Sequence, residues 1–379
     1  MKKLLVVFMA LILLVGCSSK GGKDDTIKIG ANFELSGQIS SYGSAEINGV
    51  QLAIKEVNGN GGINGKQIEL VQYDNKSDAS EAVNIAVRLL TNDNVSAIIG
   101  PATSGLSKAT IASCNQYQIP MVTPSGTNDD VTLDAQGNTQ PYAYRICYKD
   151  SFQGVTLANF LANNLNKKSV VILGDVASDY SKGLSQTFTK QFESLGGKVV
   201  LNESYSSGDT DFNAVLTKIK SATFDALYIP GYYQEVGLII KQARNMGINN
   251  IIIGGDGFDS SELINLAGKE NLNEVYFSTH YSNVDSEVKT FIDSFKKEFN
   301  VEPNAFSALA YDATMLVIDA IKRAPSTKGV DVAKALNETK ELKGITGTVS
   351  VDDKHDAIKS VVIVKLVNGD QAEAYKVNP

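Results

Sequence analysis

Tryptophan is absent, histidine occurs twice and cysteine three times in 379 residues. These scarcities leave no repeated Cys and His spacing for a metal cluster and no framework of disulfides, so neither a metal nor another cofactor is expected. A sugar site is disfavoured as well, because no indole is present to stack on a ring. Proline is sparse, 8 against 32 glycines, which points to tight turns rather than a stiff stalk. A surplus of positive charge is missing too. With 35 basic and 42 acidic residues the net charge is -7, so nothing in the composition suits a phosphate backbone, and nucleic acid is not an expected partner. What is present is a globular composition, 43% hydrophobic. The length exceeds what one core organises, so two lobes of roughly 150 to 200 residues are expected.

The first residues read as an address. After Met1-Lys2-Lys3 comes an apolar run of twelve residues, Leu4 to Val15, followed by Gly16-Cys17. Twelve residues make about 18 Å of helix, short of the roughly 30 Å hydrocarbon core, so residues 1–16 are expected to be a signal peptide. Leu14-Val15-Gly16-Cys17 resembles the bacterial lipobox, which implies a lipid on Cys17 and a body held outside the cell membrane by that anchor alone. Residues 17–25, polar and glycine-rich, would be the tether, about 16 Å from end to end across its last eight residues. Cys114 and Cys147 are then the remaining thiols of an exported domain; a pairing between them stays open, and two buried free cysteines are the preferred reading.

Downstream, short β-branched segments alternate with amphipathic ones. Strands are predicted at 26–31, 67–73, 95–99 and 119–123, with helices at 43–57, 79–91 and 105–116 between them. Ile47, Val50, Ile54 and Val57 step by three and four and share one helix face. A second set repeats the rhythm, with strands at 169–174, 198–202, 225–229 and 250–254 and helices at 181–195, 211–221 and 233–246. This alternation specifies an α/β fold of two doubly wound, Rossmann-like lobes with parallel sheets. Three further helices, at 285–299, 303–323 and 329–340, and strands at 346–351, 359–367 and 371–376 cannot bury a core of their own. They are expected to return to the two lobes, the last two strands forming a hairpin through Asn368-Gly369.

In open parallel sheets ligands bind beyond the carboxyl ends of strands. Two loops there are rich in small and hydroxyl residues: Gly100-Pro101-Ala102-Thr103-Ser104-Gly105 and Thr123-Pro124-Ser125-Gly126-Thr127. Small residues admit a ligand to the backbone, and free amides at a helix start favour an anion such as a carboxylate. Each loop alone is explained by helix capping; two in one lobe favour a site. The second set ends two strands in Gly231-Tyr232-Tyr233-Gln234-Glu235 and Gly255-Asp256-Gly257-Phe258. Either acid alone would serve a helix start. Together with the first lobe they suggest a zwitterion held between an anion-binding and a cation-binding wall.

Leu35-Ser36-Gly37, Tyr42-Gly43, the glycine-rich stretch from Gly59 to Gly65, Ile99-Gly100-Pro101, Ser125-Gly126-Thr127-Asn128, Arg145 with Asp150, Gly231-Tyr232-Tyr233 with Glu235, and Gly255-Asp256-Gly257 resemble the leucine/isoleucine/valine-binding proteins, type I periplasmic binding proteins of ABC transporters. The resemblance runs in order from about Thr26 to the C-terminus. It implies that Ser104, the Ser125 backbone and Thr127 bind an amino acid's carboxylate and part of its amine. Tyr180, Tyr232 and Asp256 would complete the amine site, and Tyr42 would touch the side chain near Ala102 and Thr103, with Phe258 also bearing on pocket width. It further implies a three-crossover hinge near residues 148, 277 and 347. The first lobe would be 26–147 plus 279–346 and the second 148–278 plus 347–379. Permease and ATPase subunits would be the partners of a monomeric carrier that is no enzyme. Some members carry glutamate where Asp256 stands.

The rival readings are weaker. An exported hydrolase would need a base from His280 or His355, both expected on the surface, and the sequence has no G-x-S-x-G elbow. The Gly59 to Gly65 stretch follows a helix rather than a strand, so it reads as a turn and not a phosphate loop. A ligand sensor, or a carrier of other small amides or amino acids, would keep the fold and change the role.

Overall fold

The computed structural model describes residues 26–282 and 286–378. The expected signal peptide, Cys17 and the tether lie outside them. The chain begins with β1 (Thr26–Phe33), α1 (Ser40–Gly59), β2 (Gln67–Asp74), α2 (Ala79–Arg88), β3 (Ile98–Ile99), α3 (Ser104–Tyr117), β4 (Met121–Thr123) and β5 (Ala143–Arg145). The five strands form one parallel sheet in the order β2-β1-β3-β4-β5. Ile47, Val50, Ile54 and Val57 of α1 are buried, as their spacing requires. At the start of α2 the Asp78 carboxylate accepts from the Glu81 N–H at 2.8 Å, closing the open end of that helix.

The chain then builds α4 (Asp150–Asn159), β6 (Ser169–Asp175), α5 (Asp179–Ser194), β7 (Lys198–Tyr205), α6 (Asn213–Lys220), β8 (Ala226–Ile229), α7 (Tyr233–Asn245), β9 (Ile251–Gly254), α8 (Ser261–Ala267) and β10 (Val275–Thr279). Strands β7-β6-β8-β9-β10 run parallel. After α9 (Lys289–Phe299), α10 (Ala305–Arg323) and α11 (Gly329–Asn337) come β11 (Leu342–Gly344), β12 (Gly347–Val351), β13 (Ala357–Ile358), β14 (Val361–Val367) and β15 (Asp370–Val377). β14 and β15 extend the second sheet antiparallel beside β10. Asn368 and Gly369, with φ of 50° and 80°, make the turn of the expected hairpin.

The three late helices return to the first lobe. α10 is buried along almost its whole length and lies on α1. The approach is close enough that a Cβ on Gly49 would stand 2.2 Å from the Ser307 carbonyl, so glycine is required there.

Two local expectations fail. β5 and α4 had no place in the predicted rhythm, because α4 mixes Gln153, Gly154 and Thr156 into a face buried against α5 and shows no clean apolar period. The boundary at 346/347 is also displaced. β12 pairs with β11 on one side and β13 on the other in a small antiparallel sheet, and none of the three joins the second sheet. Just before β13, Asp356 pairs with Arg145 Nε at 2.8 Å and accepts from Thr132 Oγ1 at 2.8 Å. Residues 347–358 therefore belong with the first sheet, and the chain enters the second sheet only at Val361. A buried ion pair with Arg145 fixes this segment, and nothing local to 347–358 announces it.

Candidate functional site

Each sheet points the carboxyl ends of its strands at the same crevice. On the first-lobe side the loop after β3 is clipped to the end of β1: the N–H groups of Ala102 and Thr103 each donate to the buried Glu34 carboxylate at 3.0 Å, and Thr103 Oγ1 donates at 2.9 Å. Burial raises the Glu34 carboxyl above its ordinary range, and these donors pull it back. The loop after β4 is held from behind by Arg145, which is wholly buried. Its Nη1 donates to the carbonyls of Gly126, Thr127 and Asn128 at 3.1, 2.8 and 3.0 Å, and Nη2 to the Asp129 carbonyl at 3.2 Å. Four carbonyls thus turn away from the crevice. The N–H groups of Ser125 and Thr127 have no acceptor among the described residues. The buried Thr127 Oγ1 makes no close hydrogen bond and faces the buried Asp150 carboxyl. Ser104, the first residue of α3, accepts the Asn128 N–H on its hydroxyl at 3.1 Å, joining the two loops. The wall is a set of fixed donors suited to an anion.

The opposite wall is built around one carboxylate. Asp256 opens a short 3-10 turn beyond β9 and is buried. Its Oδ1 accepts from Tyr180 OH at 2.8 Å and Gln153 Nε2 at 3.1 Å, and its Oδ2 lies 3.2 Å from His280 Nε2. Gln153 Oε1 accepts the Asp256 N–H at 2.9 Å and the Ser278 hydroxyl at 2.7 Å, so one amide grips the acid from both ends. A side chain at Gly255 would place its Cβ 2.3 Å from Tyr180 OH, which is why a glycine precedes the acid. Burial pulls the His280 imidazole down to about 4. At neutral pH it is uncharged and donates from Nε2, leaving Nδ1 buried without a partner.

The lobes touch across the gap. Tyr42, on α1, donates its hydroxyl to the Gly257 carbonyl and accepts the Tyr233 N–H at 3.1 Å. Ser41 and Ser260 hydroxyls lie 2.8 Å apart, and Lys108 reaches Asp179 at 3.0 Å. Tyr42 stacks on Phe306 at 4.2 Å and meets Tyr232 edge-on at 5.7 Å, while Tyr180 stacks on Tyr232 at 5.0 Å. The result is an aromatic box between donor wall and acid wall.

Of the residues singled out from sequence, Tyr42, Ala102, Thr103, Ser125, Tyr180, Tyr232 and Asp256 line one narrow gap between the lobes. Ser104 and Thr127 stand buried beside that lining. Phe258 does not reach the gap: it packs against Phe277 at 6.0 Å, and Phe306 and Gly257 complete the lining instead. Glu235 accepts from the Gly208 N–H at 2.7 Å within the second lobe. Both histidines were expected on the surface and both are buried. His280 stacks on Tyr148 at 3.7 Å, and His355 stacks on Tyr144 at 4.0 Å with Nδ1 3.1 Å from the Ala143 carbonyl. Sequence reasoning also missed Gln153, Phe306 and the two buried glutamates, Glu34 and Glu46. Glu34 lies three residues past the predicted strand 26–31 and directly after the observed β1, and was the most findable of them. Cys114 and Cys147 are free and buried, as expected. Among the described residues no cluster of His, Cys, Asp and Glu could hold a metal, and no helix is long and apolar enough to cross a membrane.

Two α/β lobes closing on a crevice with donors on one wall and an acid on the other define a solute-binding protein. The chain belongs to the periplasmic binding protein family, whose model matches residues 26–371. It is 32% identical over 360 residues to Leu/Ile/Val-binding protein homolog 2 of Brucella abortus, covering 94% of each chain. It is 30% identical over 348 residues to the leucine-, isoleucine-, valine-, threonine-, and alanine-binding protein of Pseudomonas aeruginosa, covering 92% and 91%. Among solved structures it superposes on the branched-chain amino acid transporter substrate-binding protein LivJ of Streptococcus pneumoniae in complex with isoleucine. The TM-score is 0.88 at 42% identity, covering 93% of this chain and 100% of that one. The leucine-binding protein LivK of Thermotoga maritima gives a TM-score of 0.87 at 38% identity, covering 93% and 99%.

Proposed function

We propose that this protein is the extracytoplasmic solute-binding component of an ABC transporter for branched-chain amino acids. It takes leucine, isoleucine or valine into the interlobe cleft and presents it to the permease. The observation that carries the reading is the opposition of unpartnered Ser125 and Thr127 N–H groups to the Asp256 carboxylate across one aromatic-walled gap. The ligand's carboxylate would lie on Ser104, the Ser125 backbone and Thr127. Its ammonium would meet Asp256 beside Tyr180 and Tyr232, and its side chain would face Tyr42, Phe306, Ala102 and Thr103. Magnitudes agree with this division. Burying an aliphatic side chain contributes roughly 1.5 to 3 kcal/mol, whereas micromolar affinity needs about 8 kcal/mol. The charged ends must supply most of the difference.

On this reading nothing is cleaved or transferred. The protein works as a monomer, held at the membrane by the lipid on Cys17. Isothermal titration calorimetry with the twenty amino acids tests the ligand. Leucine, isoleucine and valine are expected to bind, whereas leucinamide and 4-methylpentanoate, each missing one charged end, are not. Binding by a neutral amide in place of any amino acid would favour the rival carrier role and overturn this one.

A further inference from the structure

The Ser125 hydroxyl lies within hydrogen-bond reach of two oxygens, the Ala102 carbonyl at 2.8 Å and Oε1 of Glu46. A hydroxyl has one proton to give. The carbonyl can only accept, so the Ser125 proton goes to Ala102, and the hydrogen in the second contact must come from Glu46. Glu34 is the contrasting case: all its neighbours are donors, and its carboxylate needs no proton of its own. The other Glu46 oxygen, Oε2, is buried and has no partner. An unpartnered carboxylate oxygen costs far more there than the carbonyl of a neutral acid. Burial raises Glu46 well above the carboxylate range and Glu34 adds to the rise, against the Ser125 contact alone. Among the described residues the one charge bearing on Glu46 is Glu34, from the end of β1; the loop after β4 offers a hydroxyl, and α10 adds no charge.

We infer that Glu46 is a neutral carboxylic acid in the working protein, a positioning residue for the anion-binding wall. Its proton turns the Ser125 hydroxyl inward to Ala102, leaves the Ser125 N–H for the ligand's carboxylate, and keeps a negative charge out of that end of the cleft. The inference rests on the amino-acid reading above for its ligand. It adds a pH limit: affinity is full while Glu46 holds its proton and falls as pH rises through its raised value.

The proton can be read without any ligand. An infrared difference spectrum of wild type against Glu46→Gln at neutral pH is expected to show the carbonyl band of a protonated carboxyl in wild type, lost in the variant. A carboxylate band in its place overturns the assignment. Should the variant not fold, carbon NMR of glutamate-labelled wild type reads the same proton, and no buried glutamate in its acid form at neutral pH overturns it equally. Calorimetry with leucine from about pH 6 to about pH 9 then tests the role. Glu46→Gln, which can still donate to Ser125, is expected to bind within about threefold of wild type at the acid end, while wild type weakens by up to roughly tenfold per pH unit above the Glu46 value and the variant does not. Glu46→Ala is expected to be weaker throughout. Superimposable profiles of wild type and Glu46→Gln overturn the role. If leucine does not bind wild type at all, the amino-acid reading fails while the infrared result still decides the proton.

Discussion

The two walls of the cleft present groups of opposite character, donors on one and a carboxylate on the other, by the same device. The first lobe offers backbone N–H groups, and behind them stands Arg145, a cation that takes the carbonyls of the loop after β4 and frees the amides to face forward. The second lobe offers one carboxylate, and behind it stand three side-chain donors, Gln153, Tyr180 and His280, drawn from α4, α5 and the segment after β10. In both, the group facing the cleft is fixed by a buried partner of complementary hydrogen-bonding kind. The walls differ in what is expendable. The donor wall spreads its work over several amides no side-chain change removes, whereas the acid wall depends on a single carboxylate.

That difference ranks the expected effects. Asp256→Ala should weaken leucine binding by about 3 to 5 kcal/mol, since it leaves an ammonium buried and unpaired. Less than a tenfold change in calorimetric affinity would remove Asp256 from the ligand's site and break the comparison. Arg145→Met should cost about 3 to 5 kcal/mol of folding stability in a denaturant melt, because Asp356 and four carbonyls lose their buried partner. A loss under about 1 kcal/mol would mean that the first wall holds its shape without the cation.

Titration sharpens the picture of the second wall. Burial pushes Asp259 up to about 6, so its contribution is present at low pH and is lost as pH rises from its ordinary value through about 6. His280 is pulled down to about 4, so its contribution is present above its ordinary value and lost as pH falls through about 4. The two oppose each other, at about 3 kcal/mol each. Between about pH 6.5 and about pH 4, Asp259→Asn should therefore lose stability on acidification more steeply than wild type, and His280→Gln less steeply. Parallel melting curves for all three proteins would contradict both assignments.

Smaller effects belong to the contacts that join the walls. Tyr42→Phe removes the hydroxyl that bridges Gly257 and Tyr233, and should cost about 1 kcal/mol of closure, seen as a larger radius of gyration in small-angle scattering. Lys108→Ala breaks a half-buried link to Asp179 and should change leucine affinity by less than about 1 kcal/mol, an effect that weakens in high salt.

Much of this was legible before any coordinates. The alternation of β-branched and amphipathic segments gave two parallel sheets, because a strand covered on both faces and a helix covered on one have different periods. The rule that ligands lie beyond strand ends drew attention to the loops at Ala102, Ser125, Tyr232 and Asp256, which do meet in one gap. What stayed hidden has a common cause. Gln153 sits on a helix whose polar residues are buried, Phe306 begins a helix that returns from far along the chain, and His280 looked like a lone surface imidazole. None of these carries a periodic or capping signature of its role.

The amino-acid sequence by itself determined the layers, the turns and the chemical sign of each wall, because those follow from local period and from residue type at strand ends. Only the tertiary structure decided which buried groups back each wall and where the last segment of the first lobe ends. Those choices rest on contacts such as Tyr42 with Gly257 and Arg145 with Asp356, more than two hundred residues apart in the chain. Their partners are selected by how the packed lobes meet, and no short stretch of sequence encodes that meeting.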